Sequence, residues 1–273
     1  MPKKLTILLF SLFLIAYNAN AGSDGELDLK QNNSENEKIS EIEKTKDCFE
    51  KLNRATFSFN QSLDKALIEP VAKGYRKLPD NVQKGTSNAV RNLSTLVTIP
   101  NNVLQGDVKT AIINTVRLAV NTTFGILGTI DVANKMGFPK YEKEDYGQTL
   151  GKWGFGPGCY LVLPVLGPST IRDTSGSFVN VMGGDPWFNA SVHGNNEFLS
   201  EGVYLTSKAI SGIEFRSNNI ESFENLEENA IDFYASVRSL YLQDRENKIK
   251  NNIRGNVDVI YEDDEDWEEI DNK

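Results

Sequence analysis

The chain has 273 residues, a formal net charge of −9 at pH 7 and one histidine. Its acidic residues gather at the two ends, in residues 22–45 and 256–273, whereas residues 46–255 are close to neutral. A near-neutral body argues against nucleic acid as a partner, because such a partner needs a basic stripe. A single histidine excludes a histidine-rich metal site, and we expect neither a metal nor a cofactor.

The N-terminus has the pattern of an export signal. Lys3 and Lys4 precede an apolar run at residues 5–16, and Ala19-Asn20-Ala21 forms a small-x-small cleavage site. This pattern predicts a signal peptide at residues 1–21; an uncleaved anchor is the alternative. No cysteine lies near the cleavage site, so a lipid-modified N-terminus is not expected there.

Composition divides the remaining chain into three parts. Residues 22–45 and 256–273 are acidic and poor in apolar residues, which predicts a disordered linker and a disordered tail. Residues 46–255 are long enough to form one helical domain. This part of the chain holds Cys48 and Cys159, and an exported protein can pair them in a disulfide. Two unpaired, buried cysteines are the alternative.

The first predicted elements are helices. Apolar residues recur at helical spacing over residues 47–69, with Asp47 as a plausible cap, and Pro70 interrupts the pattern. A short helix over residues 71–75 and a helix over residues 80–93 follow, and residues 99–102, which include Pro100, predict a break.

The central stretch, residues 103–139, is apolar on almost every side. Asp107 is placed to cap a helix over residues 108–124. Such a helix is either buried in a core or immersed in lipid, and it is slightly short for a span. Its few polar residues include Arg117. The apolar run that follows contains Gly125, Gly128 and Gly137, a pattern that predicts a hairpin. Such a segment suits a protein that works in or against a membrane.

The second half begins with glycine and proline. A short helix is expected between residues 140 and 151, and the glycine and proline content of residues 151–164 predicts an extended loop. Gly167 and Pro168 predict the restart of a helix. Long helical patterns cover residues 198–215 and 220–253, and strand alternation is almost absent. We therefore predict an all-α fold of six to eight helices with one elaborate loop.

No pattern in the sequence supports catalysis. His193 lies in a polar segment that predicts an exposed loop, and Ser169 lacks the Gly-x-Ser-x-Gly context of a nucleophile, so helix capping by Ser169 or Thr170 is the better interpretation. We expect that the protein is not an enzyme. The apolar helical faces favour a binding function, although they are also compatible with a compact core.

Residues from about 46 to 250 resemble the MlaA (VacJ) family of outer-membrane lipoproteins. The resemblance rests on short blocks along this range: Asp47, Glu50, Asn53, Arg54, Phe57 and Asn60; Leu104 to Asp107; Arg117, Asn121, Gly125, Gly128 and Asp131; Gly147 to Gly151; Gly156-Pro157-Gly158; Pro164, Gly167-Pro168-Ser169 and Arg172-Asp173; Tyr234, Arg238 and Tyr241. Two features depart from the family pattern: the lipobox cysteine is missing, and Cys159 stands where a proline is usual.

The resemblance implies a ring of amphipathic helices lying in the plane of the outer membrane, at its periplasmic face. It implies that misplaced phospholipids leave the outer leaflet through a central channel and pass to a periplasmic lipid-carrier protein (MlaC-like), which maintains lipid asymmetry. A trimeric porin is a further expected partner. A soluble periplasmic lipid-binding protein and a surface factor for intercellular spreading are the alternatives.

The resemblance also assigns roles to individual residues. The candidate channel or lipid path is Asn114, Arg117 and Asn121. The candidate gating hairpin is Gly125, Gly128, Asp131 and Gly137. The structural signature is Asn53, Arg54, Gly156, Pro157, Pro164, Gly167, Pro168, Arg172 and Asp173.

Overall fold

The computed structural model describes residues 45–194 and 200–250. The predicted signal peptide, the acidic linker up to residue 44 and the acidic tail lie outside the described residues. Within the described residues the protein is helical, with one sheet of two strands. The predicted all-α class is therefore confirmed.

The first helical rod, residues 50–75, runs without interruption. It consists of helix α1 (Glu50–Leu63), a π-helical turn (Asp64–Ile68) and helix α2 (Glu69–Tyr75). The predicted interruption at Pro70 is wrong, because the chain stays helical on both sides of it, with a π-helical turn directly before α2. The predicted cap Asp47 also acts differently. It accepts a hydrogen bond from Asn53 Nδ2 at 2.7 Å instead of capping the helix.

Two helices follow the rod and pack on each other. Helix α3 spans Asp80–Leu104, and helix α4 spans Val108–Thr123 with the predicted cap, since Asp107 Oδ1 accepts from Thr110 N at 3.0 Å. The predicted break at residues 99–102 is wrong, because α3 continues through Pro100. A proline inside a helix costs about 3 kcal/mol. The turn after it is fixed by buried amides: Asn101 Oδ1 accepts from Thr149 Oγ1 at 2.6 Å, and Asn102 Oδ1 accepts from Asn114 Nδ2 at 2.9 Å.

The middle of the chain forms two short helices and the sheet. Helix α5 spans Val132–Lys135 and helix α6 spans Tyr146–Lys152. Strands β1 (Tyr160–Leu163) and β2 (Gly167–Thr170) pair antiparallel, with Tyr160 opposite Thr170 and Leu163 opposite Gly167. The predicted helix restart at Gly167 and Pro168 is wrong, because both residues lie in β2. The helix begins afterwards, with Thr170 as its cap.

The last third is helical, with breaks. Helix α7 is followed by a π-helical turn, the one-turn helix α8, a second π-helical turn and the helices α9 to α11. Their bounds are Ile171–Val179 (α7), Asn180–Gly184 (π), Pro186–Phe188 (α8), Asn189–His193 (π), Glu201–Asn218 (α9), Ile220–Asn229 (α10) and Phe233–Ile249 (α11). The predicted single helix over residues 220–253 is wrong, because Ala230 is extended and Asp232 caps a new helix by accepting from Ala235 N at 3.2 Å.

A small apolar core lies where the sheet, α1 and α11 meet. Tyr160 and Val162 of β1 pack with Tyr234 and Leu242 of α11, and Phe57 of α1 covers them. Cys48 and Cys159 form a disulfide beside this core. The structure thus decides for the disulfide and against two free thiols.

The edge of strand β1 is satisfied by side chains of α1. Asn53 accepts from Val162 N at 2.9 Å and donates to Tyr160 O at 3.0 Å. Asn60 lies two turns further along α1. It accepts from Val165 N at 2.7 Å and donates to Leu163 O at 2.8 Å. A backbone edge that would otherwise be open is therefore paired, and α1 is fixed in register with the sheet.

A buried charge cluster joins α6, α7 and α11. Arg245, 2% exposed, donates to Asp145 at 2.6 and 2.9 Å and to Asp173 at 2.9 Å. Tyr241 donates to Asp173 at 2.7 Å, and Arg172 pairs with it at 3.0 Å. Although burial alone would raise it, the neighbouring arginines lower the pKa of Asp173. Each buried charge has a partner, so the cluster fixes these three helices without an unpaired ion.

The α6–α7 crossing requires two glycines. A Cβ atom on Gly176 would lie 2.3 Å from Gly147 N, and one on Gly147 would lie 2.6 Å from Asp173 Oδ1. Neither contact is compatible with the present helix separation.

We predict that Gly176→Ala lowers the free energy of unfolding by about 1–3 kcal/mol, because the added methyl group must push two helices apart. Gly74→Ala is the matched control: it also replaces a helical glycine, but its Cβ meets no atom within 4 Å. The measurement is chemical denaturation of both variants. Equal stability of the two variants would contradict a tight crossing.

Candidate functional site

Helix α3 carries polar residues on its buried face. Its buried side chains are all amides or hydroxyls: Asn92, Thr95, Thr98, Asn101 and Asn102. Meanwhile Val82, Val103 and Leu104 of the same helix are exposed. In a water-soluble helix the buried stripe is apolar and the exposed face is polar. The buried face of helix α3 is therefore the reverse of this pattern, while its exposed residues are mixed and include Lys84 and Arg91.

Helix α4 has the same inverted pattern. Its buried residues are Ala111, Asn114, Arg117 and Asn121. Val108, Ile112 and Val116 point outward, and Ile112 is 60% exposed. Polar side chains therefore connect α3 to α4, as in the Asn102–Asn114 hydrogen bond and in the bond from Asn92 Nδ2 to Thr122 Oγ1 at 2.9 Å.

This inversion indicates the solvent that surrounds the helices. In water, apolar burial drives helices together, whereas among lipid chains that driving force is absent and small or polar residues provide the contacts. A polar interface beneath an apolar outer face is therefore typical of helices surrounded by lipid. None of the described helices combines the length and the apolar content that crossing a bilayer requires.

The segment after α4 is a tight turn that presents three large apolar side chains. Phe124 and Leu127 are each 75% exposed, and Ile126 lies between them. We call residues 124–127 the apolar tip. Ile126 and Leu127 adopt φ values of 50° and 55°, a left-handed conformation that such residues rarely adopt. Backbone strain of this kind is kept only where the surroundings fix it.

Buried polar groups fix the strained turn from below. Arg117 donates to Asp131 at 2.8 and 3.0 Å and to Pro139 O at 2.8 Å. Asn121 donates to Asp131 at 3.0 Å and accepts from Ala133 N at 2.9 Å. The turn also folds back on its own helix through the bond from Gly128 N to Asn121 O at 2.9 Å.

Helix α3 braces the same turn from its other side. Asn88 Nδ2 donates to Thr129 O at 3.1 Å. A Cβ on Gly128 would lie 2.5 Å from the Asn92 side chain, so the turn approaches α3 as closely as a glycine allows. The predicted hairpin is thus a hydrogen-bonded turn followed by the short helix α5, and no strands form in it.

The apolar surface continues around the molecule. Exposed side chains along one stripe of the first helical rod are Phe49, Leu52, Phe59, Leu67 and Val71. The loop after α6 adds Trp153 and Phe155. The end of α7 adds Phe178 and Val179, and the π-helical turn after it adds Met182. An exposed apolar surface of this extent marks contact with a membrane or a partner.

A groove between α3 and α9 combines polar and apolar lining. Leu93 and Val97 of α3 form its apolar wall, and Trp187, Ser207 and Lys208 form its polar wall. Lys208 Nζ lies 3.5 Å from Asp185, and the Trp187 indole donates to Ser207 Oγ at 3.1 Å. Sequence reasoning missed this groove, because its two walls lie about a hundred residues apart and no short motif joins them.

A buried carboxyl group lies at the far end of α3. Glu144 is 7% exposed and accepts from Gln105 Nε2 at 2.7 Å. Burial raises the pKa of Glu144 to about 7, a shift that the hydrogen bond from Gln105 opposes. This carboxyl group therefore changes charge near neutral pH inside the polar interior.

The structure brings together most of the residues that the resemblance singled out. Arg117 and Asn121 meet Asp131 of the expected hairpin, and Gly125 and Gly128 lie in the turn above them. Asn114 lies nearer the start of α4, against Asn102. Gly137 has a φ of 84° after α5. The roles of these residues as lipid path and gate stay predictions.

The signature residues lie mostly around the sheet. Asn53 pairs with β1, and Arg54 donates to Asp232 at 2.7 and 3.1 Å. Pro157 accepts from Arg172 N at 3.2 Å, and Gly156 precedes it in the same loop. Pro164 follows β1, and Gly167 and Pro168 open β2. Arg172 and Asp173 join the buried charge cluster.

Comparison with known proteins agrees with this architecture. A chain from a solved structure on the maintenance of bacterial outer membrane lipid asymmetry superposes with a TM-score of 0.63 at 31% identity, covering 74% of this chain and 98% of the solved one. The family model described as MlaA lipoprotein matches residues 45–248. The chain belongs to the MlaA lipoprotein family.

Relatives extend the same result. A protein of Rickettsia bellii (strain RML369-C) is 32% identical over 257 residues, which cover 90% of this chain and 91% of the relative. The intermembrane phospholipid transport system lipoprotein MlaA of Escherichia coli (strain K12) is 31% identical over 202 residues, or 72% and 76% of the two chains. The protein of the same description from Haemophilus influenzae is 27% identical over 223 residues.

We predict that Glu144→Gln removes a pH dependence of folding. In the wild type, the folded state must keep a buried carboxylate once the pH rises above about 7, so the free energy of unfolding falls as the pH rises from about 4.5 through 7. The neutral amide avoids this cost, which is up to about 3 kcal/mol.

Thermal unfolding at pH 5 and pH 8 measures the effect. The variant should match the wild type at pH 5 and exceed it at pH 8, whereas the exposed neighbour Glu142→Gln should follow the wild type at both values. A constant difference between Glu144→Gln and the wild type would contradict the assignment.

Proposed function

We propose that this protein moves phospholipids out of the outer leaflet of the outer membrane and thereby maintains lipid asymmetry. The observation that carries the proposal is the inverted burial of α3 and α4, with polar side chains inside and apolar side chains outside. Membership in the MlaA lipoprotein family supports it, since relatives are described as parts of an intermembrane phospholipid transport system.

In this proposal the helices form a ring in the plane of the membrane, with the apolar surface among acyl chains. The apolar tip and the stripe on the first helical rod contact lipid, and the polar interior gives headgroups a path. No bond is made or broken along the path, so the protein works as a conduit and not as an enzyme. A periplasmic lipid-carrier protein (MlaC-like) receives the lipid, and a trimeric porin supports the ring.

The groove between α3 and α9 is small, so in this proposal it receives the headgroup and the adjoining carbons of a phospholipid and not the whole molecule. Leu93 and Val97 offer an apolar wall for these carbons, while Lys208 and Ser207 suit a phosphodiester. A charged hydrogen bond contributes more than a neutral one, so Lys208 is the residue whose loss should weaken headgroup binding most. Arg117, Asn114 and Asn121 are proposed to keep the polar interior and the apolar tip in place beside this path.

The experiment uses the mature protein in vesicles of phosphatidylethanolamine and phosphatidylglycerol. A short-chain fluorescent phospholipid is added to the outer leaflet, and albumin is enclosed as the acceptor. Inward movement is measured as fluorescence that external dithionite does not quench. We expect faster protection than in protein-free vesicles, and equal rates would contradict the proposed function.

Lys208→Met should slow this movement by about tenfold, because it removes the charge that attracts the phosphodiester while keeping the length of the side chain. Lys84→Met is the matched control, since Lys84 is an exposed lysine on α3, the other helix of the groove, and does not line the groove. Unchanged transfer by a folded Lys208→Met variant would place the headgroup path elsewhere.

The apolar tip makes a separate prediction. Leu127→Asn should weaken vesicle binding by about tenfold, since an exposed leucine contributes about 1.5–3 kcal/mol when it enters an apolar phase. Asparagine tolerates the left-handed backbone better than leucine, so the melting temperature should not fall. Flotation at limiting lipid measures binding, with Leu127→Met as the apolar control. Equal flotation of the two variants would show that the tip does not enter the lipid.

A further inference from the structure

Helix α10 differs from its neighbours in the contacts that hold it in place. Within this fully described helix, Ile220 at its start is the buried side chain. Phe223 is the next attachment: its ring meets Phe215 at 6.3 Å and the Arg216 guanidinium at 5.2 Å. Ile231, just beyond the helix, is fully exposed. Apolar burial therefore anchors one end of α10 and leaves its other end weakly held.

Ion pairs hold the remainder of α10 against the first helical rod. We call three of them the ionic seam: Lys65–Glu227, Lys73–Glu224 and Arg76–Glu221, where Arg76 directly follows the rod. Lys73 Nζ lies 2.9 Å from Glu224 Oε1. Arg54 pairs with Asp232 beyond the end of α10, so that pair holds the cap of α11 to the rod. Residue numbers rise along the rod as they fall along α10, so the two elements lie antiparallel.

The signs of charge are segregated across the seam. Helix α10 contributes glutamates alone, and its sequence IESFENLEEN holds four of them and no basic residue. The rod, with Arg76 directly after it, contributes the cations. One-sided charge makes this contact specific in register, because a shifted α10 would lose its partners.

The same pairs are weak individually. Their side chains are between 36% and 61% exposed. Exposed pairs contribute little to stability, because water weakens the attraction and salt screens it. The seam is therefore ordered but separable at a small cost, unlike the buried cluster around Arg245.

Both ends of α10 have backbone that can act as a hinge. Asn219 at its start has φ −120° and ψ 20°, and Ala230 at its end is extended. The neighbouring helices are fixed more firmly: Arg216 of α9 binds Asp64 at 3.0 Å and Glu69 at 3.3 Å, and α11 carries the apolar core. Helix α10 can thus move between two fixed elements.

We propose that α10 is a strap that closes the ring against the first helical rod and is released when lipid passes. This inference rests on the proposed function. Opening of the ionic seam at the hinges Asn219 and Ala230 widens the ring on the side where the last third of the chain meets the first helices. High salt should then speed lipid movement, because it screens the pairs.

The test locks the strap in the folded protein. In Lys73→Cys/Glu224→Cys, a short bismaleimide joins the two new thiols across the ionic seam. The native cysteines are both in the disulfide, so they do not react. The vesicle assay described above is run before and after crosslinking of the same sample, which separates locking from misfolding.

Glu224→Cys/Glu228→Cys is the matched control. It shares one substituted residue, and its crosslink lies within α10, one helical turn apart, so it leaves the seam free. We expect the seam crosslink to slow lipid movement by at least about tenfold while raising the melting temperature, and the control crosslink to leave the rate unchanged.

A seam-crosslinked protein that moves lipid as fast as the crosslinked control would overturn the strap. If the uncrosslinked protein moves no lipid, the proposed function fails instead, and the two failures are distinguishable. Should Lys73→Cys/Glu224→Cys fail to fold, the neighbouring pair Arg76→Cys/Glu221→Cys tests the same seam.

Discussion

The structure depends on hydrogen bonds between polar side chains in its interior. Where a water-soluble helical protein would pack leucines, α3 and α4 are joined by asparagines and threonines, and Arg117 with Asp131 fixes the turn above them. A buried polar group that lacks a partner costs about 1–3 kcal/mol. Interior pairing therefore positions the helices accurately, and it leaves their outer faces available for lipid.

This arrangement links stability to function. The apolar tip holds Ile126 and Leu127 in a strained conformation that the polar cluster beneath it stabilises, and the large side chains of the tip are exposed. Around the sheet, by contrast, the apolar core, the disulfide and the Arg245 cluster form a rigid foundation. In the proposed function this foundation stays fixed, while the polar interior and the apolar tip meet lipid.

Part of this could be predicted from the sequence. Asp107 as a cap, the helix that follows it and the all-α class followed from local patterns. The helix breaks predicted at Pro70 and Pro100 were wrong, because tertiary contacts override the local cost of proline. Residues 160–163 form a strand by pairing with β2, and Asn53 and Asn60, a hundred residues earlier, pair its other edge. The Lys208 groove and the ionic seam join distant segments, so no local pattern marks them. The sequence alone did not decide whether the apolar faces form a binding surface or a compact core. The burial of individual side chains showed which residues point inward.

Spin labels on α4 test the central claim most directly. Ile112→Cys and Val116→Cys each place a nitroxide on the outward face of the helix, while the native disulfide leaves no other thiol to react. In vesicles, the inverted arrangement predicts that oxygen, which concentrates in lipid, relaxes both labels more strongly than an aqueous nickel complex does. Stronger relaxation by the nickel complex at both positions would show that this face meets water, and would contradict the account.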